Sequence, residues 1–254
     1  MENKKNAAIL TVVAVATLLV AVVGATFAFF AVQGGDTQTG TITVQTYTSD
    51  STTFSISGDL AIEADQENFA SGAGNLVTGA MANVAFSPAS RDSQGLCYNL
   101  KLVVSSNTFG YSDTNGTCSD NTKTTKTACL AASGTWSGEV AELTLSVAKG
   151  GTLTTGANDK ITGIDSTGAT VIYNGLDITN LTAGTYYIPD SLSTTIGTTR
   201  VDHTIASSVT TQQNENYAVL ITFVNLNTDQ SDKAGEAFNG SIVLEKCPAA
   251  QQGA

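Results

Sequence analysis

Leu143, Leu145 and Val147 alternate with Glu142, Thr144 and Ser146, and Tyr98, Leu100, Leu102 and Val104 repeat the same two-residue period. A side chain that changes face at every step belongs to a strand with one buried and one wet face. From residue 40 onward, short β-branched and aromatic runs are separated by clusters of Gly, Asn, Asp and Ser, and no stretch carries the 3.6-residue period of an amphipathic helix. The expected fold class is therefore all-β. The run 217–224 is apolar at nearly every position, which predicts a central strand covered on both faces. Its expected partner is 241–245, with the polar stretch 225–235 reversing the chain between them. Asp165-Ser166-Thr167-Gly168 reads as a hairpin turn between 160–164 and 170–173, and 176–178 and 186–188 read as shorter strands. The Thr-, Asn-, Asp- and Gly-rich segment at about 108–137 interrupts this pattern as an inserted loop or subdomain. With no repeat of fixed period and no sharp break in composition, residues 33–254 are expected to form a single β-sandwich domain.

Charge narrows the function classes. Eleven Lys and Arg are spread through 254 residues against 22 Asp and Glu, a net charge of -11. Neutralising phosphates takes clustered cations, so a nucleic-acid partner is excluded. Charged residues make up only 13% of the chain, and Thr, Ser, Asn, Gln and Gly take their place, a composition suited to β surfaces kept soluble by hydroxyls and amides.

The N-terminus carries an address. Lys4 and Lys5 precede a charge-free apolar run over residues 7–32, about 26 residues where about 20 span a bilayer. Lys before such a run, with an acidic remainder, fits export with the N-terminus held in the cytoplasm. Residues 1–32 are thus a signal peptide or a retained signal-anchor helix, and both outcomes stay open. For cleavage, the region Thr26-Phe27-Ala28-Phe29 offers the best site, after Ala28, with Thr26 and Ala28 as the small pair.

The same residues carry a resemblance. Val22-Val23-Gly24-Ala25-Thr26-Phe27-Ala28-Phe29-Phe30, followed by Gly40-Thr41-Ile42-Thr43-Val44, resembles the leader and first strand of the TasA and camelysin family of bacterial surface proteins. The resemblance implies a leader of the SipW type processed by a dedicated peptidase, a jelly-roll-like antiparallel β-sandwich, and for several members polymerisation into biofilm-matrix fibres. Here the first polar residue after the aromatic pair is delayed to Gln33, and the four cysteines mark an elaborated member.

Four cysteines in an exported chain point to disulfides, and their spacing does not match paired CxxC metal ligands. Of three connectivities, Cys118 with Cys129 would staple the insertion, with Trp136 as its cover, and Cys97 with Cys247 would tie an early strand to the last one. Catalytic groups are scarce. His203 is the one histidine and alternates like an ordinary strand residue, no HExxH occurs, and no P-loop or dinucleotide glycine pattern is present, so no cofactor or metal is expected. The protease activity attached to the camelysin name is accordingly not carried over. Asn225, Asn227, Asp229, Ser231 and Glu236 follow calcium-loop offsets, but Gln230 stands where the turn wants Gly and Lys233 places a cation among the ligands, which favours a solvated loop. Sequons at Asn115, Asn180 and Asn239 are expected on the surface.

Three functions follow. The first is a secreted or cell-surface structural protein, not an enzyme, that self-associates into fibres or with other matrix proteins. In it Phe29, Phe30, Val32, Thr41, Ile42 and Val44 form a donor strand that pairs with the sheet edge of the next subunit. Equally, 41–44 could be the first strand of its own sandwich. The second is a monomeric membrane-anchored domain for adhesion or ligand binding, and the third, with no catalyst to support it, a secreted protease.

Overall fold

A computed structural model describes residues 50–65, 74–89 and 93–248, together with the strand backbone at 37–38 and 42–44. These residues fall in one compact unit, Thr37–Ala254. The chain runs β1 (Thr37–Gln38), β2 (Ile42–Val44), β3 (Ser51–Gly58), β4 (Leu60–Glu63), β5 (Leu76–Ser87), β6 (Leu96–Asn107), β7 (Thr117–Cys118), α1 (Lys126–Ala131), β8 (Trp136–Ser137), β9 (Leu143–Lys149), β10 (Thr152–Thr155), β11 (Ile161–Asp165), β12 (Thr170–Asp177), β13 (Gly184–Tyr187), β14 (His203–Ile205), β15 (Gln213–Phe223) and β16 (Ala237–Lys246). The fold is all-β, with antiparallel pairing throughout. No helix among the described residues is long and apolar enough to cross a membrane, and the expected N-terminal helix lies outside them.

Two six-stranded sheets pack as a β-sandwich. One has the order β12-β9-β15-β5-β3-β2. The other is built on β16 and β6: β1 and β4 lie along the free side of β16, and β13 and β14 along the free side of β6. The two-residue period places Ala82, Val84 and Phe86 of β5, Leu100, Leu102 and Val104 of β6, Leu143, Leu145 and Val147 of β9, and Val219, Ile221 and Phe223 of β15 in one buried cluster. Rings meet across the gap: Phe54 lies 6.1 Å from Tyr98, and Phe109 stacks 5.2 Å from Phe223.

β15 is central and covered on both faces. Its inward row is the core, and its outward Ala218 and Leu220 are buried as well. The β10–β11 hairpin packs over the outer surface of the sheet, so that a Cβ on Gly79 of β5 would meet the Leu153 side chain at 3.0 Å.

Two expected pairings are corrected. β15 pairs with β5 and β9, not with 241–245, which belongs to β16 and pairs with β6 in the opposite sheet. The stretch 225–235 is therefore a crossing between sheets rather than a hairpin loop. Likewise 165–168 is a turn, closed by Ala169 N–H donating to Ser166 O at 2.9 Å, but the strands it joins do not pair. β11 pairs back to β10, and β12 enters the main sheet beside β9. Apolar pattern sets which face a residue takes and leaves its partner strand open.

The corner between β3 and β4 shows what a crossing demands. Gly58 has φ +95°, and a Cβ there would stand 2.3 Å from Gly79 O. Asp59 Oδ1 then accepts from Leu60 N at 2.8 Å as the chain enters the second sheet. Gly175 also has positive φ, +68°, yet has nothing within 4 Å of its Cβ position. Gly58→Ala should cost about 2–4 kcal/mol from clash and backbone strain, and Gly175→Ala only about 1 kcal/mol from strain. Urea unfolding of both variants measures this, and equal losses would show that the corner tolerates a side chain.

Candidate functional site

Self-association through strands depends on the sheet edges, since an edge offers unpaired N–H and C=O groups. In the β15 sheet the edges are β12 and β2. β12 breaks register with β9 twice, between Val171 and Tyr173 and between Tyr173 and Leu176, which makes it a poor template. A strap reinforces this: Ser193 N–H donates to Ile172 O at 2.9 Å and Tyr173 Oη to Thr195 O at 3.2 Å. At the opposite edge, β2 pairs Ile42 with Phe54 and Val44 with Thr52. In the β16 sheet, β4 pairs with 237–240 and β1 with Leu244 and Glu245. Among the described residues no strand pairs with 241–243 on that side. A small cavity of about 130 Å³ opens there, lined by Gly58, Asp59, Leu60, Ser241 and Ile242 among others.

Of the donor-strand residues, Ile42 and Val44 thus sit in an edge strand of their own sandwich. Phe29, Phe30, Val32 and Thr41 lie outside the described residues, as does the cleavage region Thr26, Phe27, Ala28 and Phe29.

The cysteines form two disulfides. Cys97 joins Cys247, with Cys247 N–H donating to Cys97 O at 3.0 Å, and ties the start of β6 to the end of β16. Cys118 joins Cys129, linking β7 to α1 within the segment between β6 and β9. Trp136 stands opposite Cys118 in the β7–β8 pair, and its indole Nε1 donates to Asn115 O at 3.1 Å. A Cβ on Gly134 would lie 2.8 Å from the Cys118 sulfur and 2.9 Å from that of Cys129, so the turn closes over the staple only with glycine. The ligand-type groups that converge most closely among the described His, Cys, Asp and Glu residues are Cys97, Asp202 and Cys247. Both sulfurs are spent on the disulfide, which leaves no thiolate for a metal.

Glu142, read from the pattern as a wet-face residue, is fully buried. Its carboxylate accepts from Ser112 Oγ at 2.5 Å, Asn115 Nδ2 at 2.7 Å and Gln230 Nε2 at 2.6 Å. One charge therefore fastens both the insertion and the 225–235 crossing to the head of β9. It also accounts for Gln230 in the calcium-like stretch: the residue turns inward rather than toward a cation. Asp229 Oδ1 accepts from Ser231 N and Oγ, and Glu236 pairs with Lys233, so these carboxylates are engaged locally. Asn115 is buried with both side-chain atoms bonded, contrary to the expected surface sequon, whereas Asn180 and Asn239 are exposed.

At the other end of β9 and β15 the inward rows change from apolar to polar. Lys149 continues the row of Leu143, Leu145 and Val147, and Tyr217 and Glu215 continue that of Phe223, Ile221 and Val219. Tyr98 and His203, paired in register on β6 and β14, face them from the second sheet. Tyr98 Oη donates to Glu215 Oε2 and lies 2.6 Å from Tyr217 Oη. His203 Nε2 faces the Ile188 carbonyl at 2.8 Å, which requires a proton on that nitrogen. Nδ1 then faces Tyr217 Oη at 3.2 Å and Asp190 Oδ1 at 3.3 Å. The imidazole stacks on Tyr98, with centroids 5.1 Å apart. Lys149 bridges Asp190 at 2.8 Å and Glu215 at 3.0 Å. Burial first, then the neighbouring Tyr217 and Glu215, raises the Tyr98 phenol far above its ordinary range. Burial also opposes charge on Lys149, but bonds to Asp190 and Glu215 outweigh it and hold the ammonium. No spacing motif announces this cluster. The available signal was polar residues in the inward register of two strands.

The two staples should separate in their effects. Cys97→Ser opens a closure 150 residues long and should lower stability by about 5 kcal/mol, with a fall of about 10 °C or more in the melting temperature of the whole domain. Cys118→Ser opens one of 11, worth about 3 kcal/mol locally, and should raise protease sensitivity mainly within 108–137. Equal global losses from both would overturn the distinction. Asp190 supplies a pH test. Burial pushes its carboxyl upward, but the bond and charge of Lys149, then His203, bring it below the usual aspartate value. A lowered folded-state pKa contributes stability above the unfolded value of about 3.9 and loses it as pH falls through the folded value. The melting temperature should therefore drop more steeply below about pH 4 in the native chain than in Asp190→Asn, and parallel profiles would count against the pairing.

Against this geometry, no family model, no curated protein and no solved structure matches the chain.

Proposed function

We propose that the chain is an exported structural protein of the cell surface, a subunit of extracellular matrix or biofilm fibres that assemble by strand addition. In this reading residues 1–32 direct export and are either cleaved near Ala28 or retained as an anchor helix, and the sandwich is jelly-roll-like. The repeated crossing of consecutive strands between sheets, from β3 to β4 to β5 to β6 and again from β15 to β16, supports that topology. The two disulfides are compatible with an oxidising extracellular environment.

The observation that carries the reading is the pairing of the first two strands. β1 and β2 lie at the edges of opposite sheets and, among the described residues, are held by two and three residue pairs. Exchanging so short an edge strand for the same segment of another copy sacrifices few backbone hydrogen bonds. A head-to-tail exchange does not close on itself and so grows a filament. The reading assigns no catalytic group.

Intact mass and N-terminal sequencing of protein recovered from its native surface, combined with sedimentation, test the proposal. A start near Phe29 in high-mass assemblies is the expected result. An intact N-terminus in the membrane fraction, with monomeric sedimentation after extraction, would replace it with a tethered surface domain for adhesion or ligand binding.

A further inference from the structure

The chain contains three Asn-Gly pairs, Asn115-Gly116, Asn174-Gly175 and Asn239-Gly240. In such a pair the main-chain nitrogen of glycine, with no side chain to shield it, can attack the asparagine Cγ. The new N–Cγ bond closes a succinimide ring, and ammonia leaves with the proton displaced from the glycine nitrogen. Water then opens the ring at either carbonyl, which leaves aspartate or isoaspartate. Ring closure needs the asparagine side chain to swing onto a main chain that is itself free to turn, so the fold decides which pair reacts.

We propose that Asn174 is the site of this spontaneous conversion and that the fold protects Asn115 and Asn239 from it. Asn115 is buried, its Nδ2 donates to Val140 O at 2.7 Å and to Glu142 Oε1 at 2.7 Å, and its Oδ1 accepts from Val140 N at 2.9 Å. Gly116 is packed as closely: a Cβ there would stand 2.6 Å from Trp136 Nε1. Asn239 is exposed, but it lies within β16 between two neighbours, opposite Ala61 of β4 and Ser106 of β6, and Gly240 lies between Leu60 and Val104. The Asn239 Nδ2 also donates to Ser106 Oγ at 3.1 Å. Closing a ring at either pair first requires opening these contacts.

Asn174 is held far less. It is exposed on the edge strand β12, and with Gly175 it forms a bulge: Tyr173 faces Val147 and Leu176 faces Leu145, so the two residues share the single position opposite Ser146. Among the described residues its side chain makes no hydrogen bond. Gly175 N–H donates to the Ser146 hydroxyl at 3.0 Å, a rotatable partner rather than a ladder carbonyl. Gly175 also has nothing within 4 Å of its Cβ position. A cleft of about 420 Å³ opens beside the pair, lined also by Leu176, Asp177, Leu192, Ser193 and Thr194, and gives the ring and the attacking water room. Conversion sets a new carboxylate into the cleft with Asp177, and the isoaspartate form adds one carbon to the main chain of the bulge.

The three pairs fall on separate tryptic peptides, 102–123, 161–200 and 234–246, so peptide mapping by mass spectrometry follows each one. The purified, disulfide-intact full chain is held at mildly alkaline pH and sampled over time, then unfolded, reduced and digested, with fragmentation locating the converted residue. The expected result is conversion at Asn174 at least about tenfold faster than at Asn115 or Asn239, the factor that a local opening of about 1.4 kcal/mol imposes on a protected pair. In a chain held in urea the three rates should come together, because the protection belongs to the fold. Asn174→Gln, whose longer side chain would have to close a larger and slower ring, should stop the build-up of acidic species seen on ion exchange. Conversion of Asn115 or Asn239 as fast as Asn174 in the folded chain overturns the proposal. So does a folded chain that stays unconverted while the urea-held chain reacts, a preference for Asn174 that persists in urea, or acidic species that build up undiminished in Asn174→Gln.

Discussion

The sandwich depends on one strand having no wet face. β15 sends Tyr217, Val219, Ile221 and Phe223 inward and Ala218 and Leu220 outward, and all are buried. The inward row needs the β6–β16 pair as its opposing layer, while the outward row needs the β10–β11 hairpin as a cover. A strand of this kind cannot sit at an edge, because half of its apolar surface would then meet water. Its position in turn places β5 and β9 on either side and moves β2 and β12 to the margins.

Two polar clusters act at opposite ends of that arrangement. At the head of β9, buried Glu142 is satisfied by Ser112, Asn115 and Gln230, donors drawn from two loops distant in sequence. A buried charge so bonded holds its loops in register, because removing any donor exposes the desolvation cost of the carboxylate. At the tail of β9, the tyrosines, His203, Glu215 and Lys149 bridge the sheets with bonds that run between layers rather than along them. The apolar core between these clusters supplies burial, and the clusters supply the directional contacts that select one alignment of the layers.

The edges show a different logic. β12 is bulged and strapped, which limits pairing there, whereas β1 and β2 are short and near the N-terminus. A guarded β12 edge together with short strands at β1 and β2 suits the proposed directed assembly better than indiscriminate edge-to-edge growth. The Cys97–Cys247 bond closes the β6–β16 pair at the start of β6, so exchange at β1 could proceed without opening the core pair of that sheet.

Much of the strand content was legible in the residues themselves. Period-two alternation is a local property, and it located β6 and β9 and marked 217–224 as doubly covered, since a strand's faces follow from its own residues. Pairing was not legible in the same way. The 225–235 crossing and the turn at 165–168 looked like hairpin connections because polar loops of that length suit both a hairpin and a crossing, and Gly58 revealed its corner only through the nearness of Gly79. Glu142 and His203 carried ordinary alternation, yet the donors to Glu142 come from loops 27 to 88 residues away, and the environment of His203 is assembled from β6, β15 and residues 188–190. The amino-acid sequence by itself determined an acidic all-β chain and which residues alternate between faces, because composition and period are written along the strand. Only the tertiary structure decided which strands pair, which edges stay open and which polar groups meet, because those depend on how two layers close over each other.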